Sequence, residues 1–196
     1  MTVMVVGNGE SRNLLDLKTF SKDYDIIGCN AICREIAVEH LVCADRRMLE
    51  EAVRHANTKN TKIYTREDYI PYYKSIGYSN VLSVPEIPYI VKVKQDEPFH
   101  WGSGPYAVLL GALQSSTVIL VGFDLYSSNA RINNVYKDTN NYNDSNSKPV
   151  DPSYWIHQIG KVFESFPNND FIIFQTSDWE MPAKWQRDNV RLENIK

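Results

Sequence analysis

The feature that most constrains this chain is the alternation of short apolar runs with longer stretches of helical patterning. Residues 2–6, 25–29, 40–44, 61–64, 81–84, 117–121 and 171–174 are apolar runs of strand length. Residues 11–20, 31–36, 46–56, 69–76, 105–114 and 152–166 lie between or beside them and read as helices. Strand–helix alternation is the signature of βαβ units, whose long crossovers make neighbouring strands parallel. It predicts an α/β fold: a Rossmann-like open, mainly parallel sheet flanked by helices on both faces. The 196 residues are enough for one domain with a core of its own, so a single domain over residues 1–196 is expected.

Capping residues support several of these helices. Asp45 stands before a stretch in which Met48, Leu49, Ala52 and Val53 form one apolar stripe. Ser103 precedes Gly104-Pro105 and the small apolar residues Ala107, Val108, Leu110 and Gly111. Asp151-Pro152 places a capping acid before a proline at the first helical position. The segment 127–150 differs: it is dense in Asn, Ser and Asp, with Tyr136 and Tyr142 among them. Such a stretch buries too little surface to order itself, and it is expected to be a flexible lid loop or a surface insertion.

Composition narrows the function classes. A formal net charge of −3 gives no overall attraction to nucleic acid or an anionic membrane, so no nucleic-acid partner is expected. No apolar run reaches the length of a signal peptide core or a transmembrane helix. Cys29, Cys33 and Cys43 form an odd set without framework spacing, which predicts reduced thiols in a cytoplasmic protein.

Chemistry concentrates where strands end. Gly7-Asn8-Gly9-Glu10-Ser11 follows the first strand and opens a helix, where glycines let a ligand approach and free helical N–H groups attract phosphate. The dinucleotide fingerprint fails, because its third glycine falls at Arg12 and the second strand ends in Cys29-Asn30 without a ribose-binding acid. No Gly-Lys-Ser/Thr follows, so the P-loop fails too. Asn30 and Asp45 end the second and third strands, Gly102-Ser103-Gly104 opens a helix, and Gly122-Phe123-Asp124-Leu125-Tyr126 ends the sixth strand. In an open parallel sheet these tips share the edge where ligands bind.

In this order, the Gly7–Ser11 turn, Cys29-Asn30, Ser103-Gly104 and Gly122–Tyr126 resemble the bacterial sialyltransferases that use CMP-sialic acid. The resemblance implies a nucleotide-sugar-binding domain. Asn8, Asn30, Ser103, Asp124 and Tyr126 would line its pocket for a cytidine nucleotide, with Gly7, Gly9, Gly102, Gly104 and Gly122 exposing backbone N–H groups and Ser11 closing the first turn beside them. Asp45 stands where that family usually carries an asparagine. The reaction implied is metal-independent transfer of a sugar from a CMP-linked donor to a hydroxyl acceptor, with a histidine as general base and no cofactor. Ser153-Tyr154-Trp155-Ile156-His157 is similar to the family's histidine segment and nominates His157; aligning the following helix instead places Val150 there. His100, before Trp101-Gly102, is the second candidate, and Tyr142 and Tyr154 are candidates to assist the phosphate leaving group.

Two other classes stay open. Similar strand-end patterns occur in a family resembling archaeal pterin diphosphokinases, which use ATP and magnesium, and a non-catalytic nucleotide-binding protein would share the same pocket. Asp23-Tyr24-Asp25 spells a metal-binding Asp-x-Asp but precedes the second strand, at the edge away from the glycine turns, so no metal is expected. The tyrosines at 64, 69, 72, 73 and 78 suit a packing layer or a subunit interface, and a homo-oligomer is the expected assembly.

Overall fold

The computed structural model describes residues 2–90, 101–127 and 129–195. Eight strands form one sheet: β1 (Thr2–Val6), β2 (Asp25–Cys29), β3 (His40–Val42), β4 (Lys62–Thr65), β5 (Val81–Ser83), β6 (Thr117–Val121), β7 (Asp170–Gln175) and β8 (Val190–Asn194). Their order is β5-β4-β3-β2-β1-β6-β7-β8, and every neighbouring pair is parallel. The α/β, Rossmann-like class read from the alternation is therefore what the chain adopts.

The period-2 alternation of β1 explains the layering. Met4 and Val6 enter one core layer with Ile26, Leu41, Met48, Leu49 and Tyr73, while Val3 and Val5 enter a second with Val108, Leu109, Ile159 and Phe163. The first layer is covered by α1 (Leu17–Phe20), α2 (Arg46–Ala52) and α3 (Ile70–Ser75). The second is covered by α4 (Ser103–Gln114) and α5 (Ser153–Ser165), so helices flank both faces. Helix α4 lies close to the sheet, because a Cβ at Gly111 would meet Val5 at 2.9 Å and Val118 at 3.1 Å.

Several elements differ from expectation. The helix expected over 11–20 is a 3₁₀ turn, Glu10–Leu14, followed by the one-turn α1, whose start is capped by Asp16 accepting from the Lys18 N–H. The helix expected over 31–36 is a 3₁₀ turn, Asn30–Arg34, because the crossover from β2 to β3 is too short for more. Strand β8 has no counterpart among the expected strands. Its Val190-Arg191-Leu192-Glu193 alternation is short and mostly exposed, and charges on a sheet edge discourage pairing with other chains.

Candidate functional site

Strand order decides where a ligand can sit. From β1 the chain steps outward through β2 to β5, then returns to place β6 on the other side of β1. Connections leave the β1 and β6 tips in opposite directions, which opens a crevice at their carboxyl ends. A cavity of about 270 Å³ lies there. Its walls include Gly7, Asn8 and Gly9 after β1, Asn30 after β2, Asp45 after β3, Gly102, Ser103 and Gly104 at α4, and Gly122, Asp124 and Tyr126 after β6. The separate strand-end motifs thus converge on one concavity. It reaches from the β3 tip to the β6 tip, three strand spacings or about 14 Å.

The glycine turn is built differently from expectation. A Cβ at Gly7 would stand 2.4 Å from the Gly122 carbonyl oxygen, and one at Gly9 would stand 2.4–2.7 Å from the Asp124 carboxyl atoms. These glycines therefore let the β1 and β6 tips approach each other, joined by Gly7 N–H to Val121 O and Gly9 N–H to Gly122 O, both 2.8 Å. Only Gly122 among them has positive φ, 71°. The N–H groups expected to hold phosphate are already used: Ser11 N–H donates to Asp124 at 2.9 Å and Glu10 N–H to Asn133 at 2.8 Å. Ser11 also gives its hydroxyl proton to Asp124 and does not line the cavity. Gln175 Nε2 donates to the same carboxylate at 2.9 Å, so Asp124 ties β1, β6 and β7 together.

Two asparagines present oriented amides. Asn8 donates through Nδ2 to the Tyr142 hydroxyl at 3.3 Å, and its buried Oδ1 has no partner among the described residues. A buried acceptor of this kind calls for a ligand N–H or O–H. Asn30 sits at φ 51°, a left-handed conformation that asparagine tolerates better than most residues. Ala44 N–H donates to Ser103 Oγ at 2.9 Å, and Ser103 Oγ–H donates to Asn30 Oδ1 at 2.8 Å. This chain fixes the Asn30 amide with its Nδ2 donors directed away from Ser103.

A true helix start does border the cavity, at α4. Gly102, its N-cap, supplies no side-chain cap, and the Ser103 and Gly104 N–H groups meet no acceptor among the described residues. Unsatisfied N–H groups and the helix dipole there favour a negative group. Trp155 of α5 lines the same wall, its Nε1 3.2 Å from where a Gly102 Cβ would stand.

Among the described residues, the segment 127–150 contains no helix or strand, yet it is folded against the rest. Ile132 and Tyr136 are buried, at 9% and 5% exposure, against the expectation that the stretch buries too little to order itself. The anchor is Arg12, which occupies the third-glycine position of the failed fingerprint and is 2% exposed. Its guanidinium donates to Gly7 O at 3.0 Å, to the Tyr136 hydroxyl at 2.6 Å and to Glu35. Arg34 stacks on the Tyr136 ring too, 5.5 Å from its centroid, and pairs with Glu51, which pushes the Glu51 carboxyl below its usual range. Val135 N–H closes the turn onto Asn8 O at 2.9 Å. Sequence reading missed Arg12 and Trp155; the one signal was a cation standing where a phosphate-binding turn carries glycine.

The catalytic candidates separate. Tyr142 lines the cavity, and burial pushes its phenol well above the usual range, so it keeps its proton. His157 does not line it. Helical residues advance 100° each, so with Trp155 and Ile159 facing the cavity, His157 lies on the other side of α5, its ring 6.5 Å from Tyr89. Tyr154 is 58% exposed and also off the cavity. His100 lies outside the described residues. Among the described residues no group of three or more His, Cys, Asp or Glu side chains is placed to hold a metal ion, and no helix is long and apolar enough to cross a membrane.

The fold is similar to that of a sialyltransferase. An X-ray structure of a mutant of the α-2,3/8-sialyltransferase CstII matches with a TM-score of 0.53 and 15% identity, over 88% of this chain and 81% of that one. At that identity the likeness to CstII concerns the fold. No protein-family model matches the chain, and no curated protein matches it in sequence.

Proposed function

We propose that this chain is a sialyltransferase-like glycosyltransferase that moves a sugar from a CMP-linked donor to a hydroxyl acceptor without a metal. The observation that carries this reading is the convergence of the strand-end residues on one switch-point cavity, in a fold similar to that of a sialyltransferase. A span of about 14 Å suits a nucleoside, a phosphate and one sugar laid along the strand tips.

The groups along that span suggest an orientation. At the β1–β6 end, Asn8 Oδ1 accepts from the nucleoside and Asn133, Asn134 and Tyr126 border it. The phosphate lies at the open start of α4, against the Ser103 and Gly104 N–H groups. Tyr142, which holds its proton, donates to the leaving phosphate. The sugar then extends toward Asn30 and Asp45. Bond cleavage leaves negative charge on the phosphate and positive charge on the ring, and the helix start stabilises the first of these.

Calorimetric titration with CMP, CDP, UDP, GDP and ATP, with and without Mg²⁺, tests the donor. Preferential CMP binding without Mg²⁺ is expected. ATP binding that requires Mg²⁺ would point to diphosphokinase chemistry instead, and binding without nucleotide preference would sink the donor assignment. CMP release from CMP-sialic acid then separates an enzyme from a binding protein. His157→Ala is expected to leave that release within about twofold, since His157 does not line the cavity.

A further inference from the structure

We propose that Asp45 is the general base that deprotonates the acceptor hydroxyl. This rests on the glycosyltransferase reading above and names a catalytic residue for it.

Asp45 occupies the position preceding α2, where an aspartate normally accepts a hydrogen bond from the first helical turn. It does not: its side chain makes no cap, although its backbone is extended as a cap requires, at φ −86° and ψ 134°. Its carboxylate makes no hydrogen bond or ion pair with any described residue, its only bond here being the backbone one from Leu49 N–H to Asp45 O at 3.0 Å, and neighbouring Arg46 pairs with Glu50 instead. A capping residue that leaves its helix uncapped and lines a cavity departs from local preference, and such departures concentrate at functional positions.

Among the described residues, the other proton-active groups on the cavity wall are committed elsewhere. Asp124 is 7% exposed, with both carboxylate oxygens engaged by Ser11 and one also by Gln175. Tyr142 and Tyr126 keep their protons, because burial raises both phenols. Asp45 is exposed and lies at the β3 end of the crevice, beyond the α4 start and next to the Ala44 N–H that anchors Ser103. With the nucleoside at β1–β6 and the phosphate at α4, this is the sugar end.

The step balances without a further reagent. The acceptor oxygen forms a bond to the anomeric carbon as the bond from that carbon to the phosphate oxygen breaks. The electron pair of the broken bond leaves with CMP, and the acceptor proton passes to the Asp45 carboxylate. Water in place of the acceptor gives donor hydrolysis by the same route.

The test uses the full chain, CMP as the binding probe and CMP-sialic acid as the donor. Asp45→Ala is expected to keep CMP affinity within about threefold and to lower CMP release about 100-fold or more. Sodium azide is expected to restore release in this variant and to appear as a glycosyl azide, because azide attacks without needing a base. Release unchanged in Asp45→Ala overturns the proposal. So does a loss of CMP affinity that accounts for the lost release, or a slow variant that azide leaves slow. A wild-type chain that binds CMP but releases none from the donor overturns it while sparing the nucleotide site; one that does not bind CMP ends the donor reading itself.

Discussion

Ser11 and Asp124, 113 residues apart, join the turn after β1 to the tip of β6: the carboxylate accepts the Ser11 N–H at 2.9 Å and also its hydroxyl proton. The protein places its own carboxylate where a helix-like turn invites an anion. This contact ties the β1 and β6 tips together at the strand switch, and N–H groups without an acceptor among the described residues border the crevice at the start of α4 instead.

Gly9→Ala tests that closure. Its Cβ would stand 2.4–2.7 Å from the Asp124 carboxyl atoms, so either that carboxyl gives up its bonds to Ser11 and Gln175 or the β1 and β6 tips separate. A loss of about 1–3 kcal/mol is expected in urea unfolding, as for an overpacked core. Gly104→Ala, which meets only Phe123 at 3.3 Å, costs less.

Arg12→Ala removes the anchor of the 127–150 segment. Gly7 O, the Tyr136 hydroxyl and Glu35 lose a shared donor, and a buried side chain is deleted. The expected cost is about 3 kcal/mol, with faster proteolysis inside 127–150 than in wild type. Arg12→Lys restores little, since one ammonium does not reproduce the guanidinium fork. Equal cleavage rates in wild type and variant would show that Arg12 does not hold the segment.

Stability is expected to fall as pH drops through the histidine range. Burial lowers the His40 pKa, while the unfolded chain takes up its proton near 6.5. The unfolded state thus binds more protons below that pH, and the His40 contribution, complete above about 6.5, is lost as pH falls toward the folded-state value. Unfolding free energies between pH 8 and 5 measure this slope, and His40→Gln should flatten it.

The three thiols should be inert in the folded protein. Burial pushes Cys29 up to about 12 and Cys33 up to about 11, and Cys43 lies well above its ordinary value. The thiolate is the reactive form, so an aromatic disulfide reagent at pH 8 should label all three in denaturant and scarcely any without it. Rapid labelling of the native chain would show that the Asn30 region opens.

Legibility in the sequence followed the range of the interaction. Strands β1, β2 and β6 were readable to the residue, because buried parallel strands are continuous apolar runs. Strand β8 was not, because an exposed edge carries a weak alternating signal. The tips that meet at the cavity were also readable, since glycines, asparagines and aspartates stand out against apolar runs.

Local patterning alone thus determined the α/β class and which residues end the strands. Only the tertiary structure decided what those residues face. Strand order brought β6 beside β1, so Asp124 satisfied the Ser11 N–H and left the α4 start open. Helical phase turned Trp155 toward the cavity and His157 away, and Arg12, out of place for a phosphate turn, found Tyr136 from a segment more than a hundred residues away. These outcomes depend on which distant groups share one small volume, a property that neighbours along the chain do not encode.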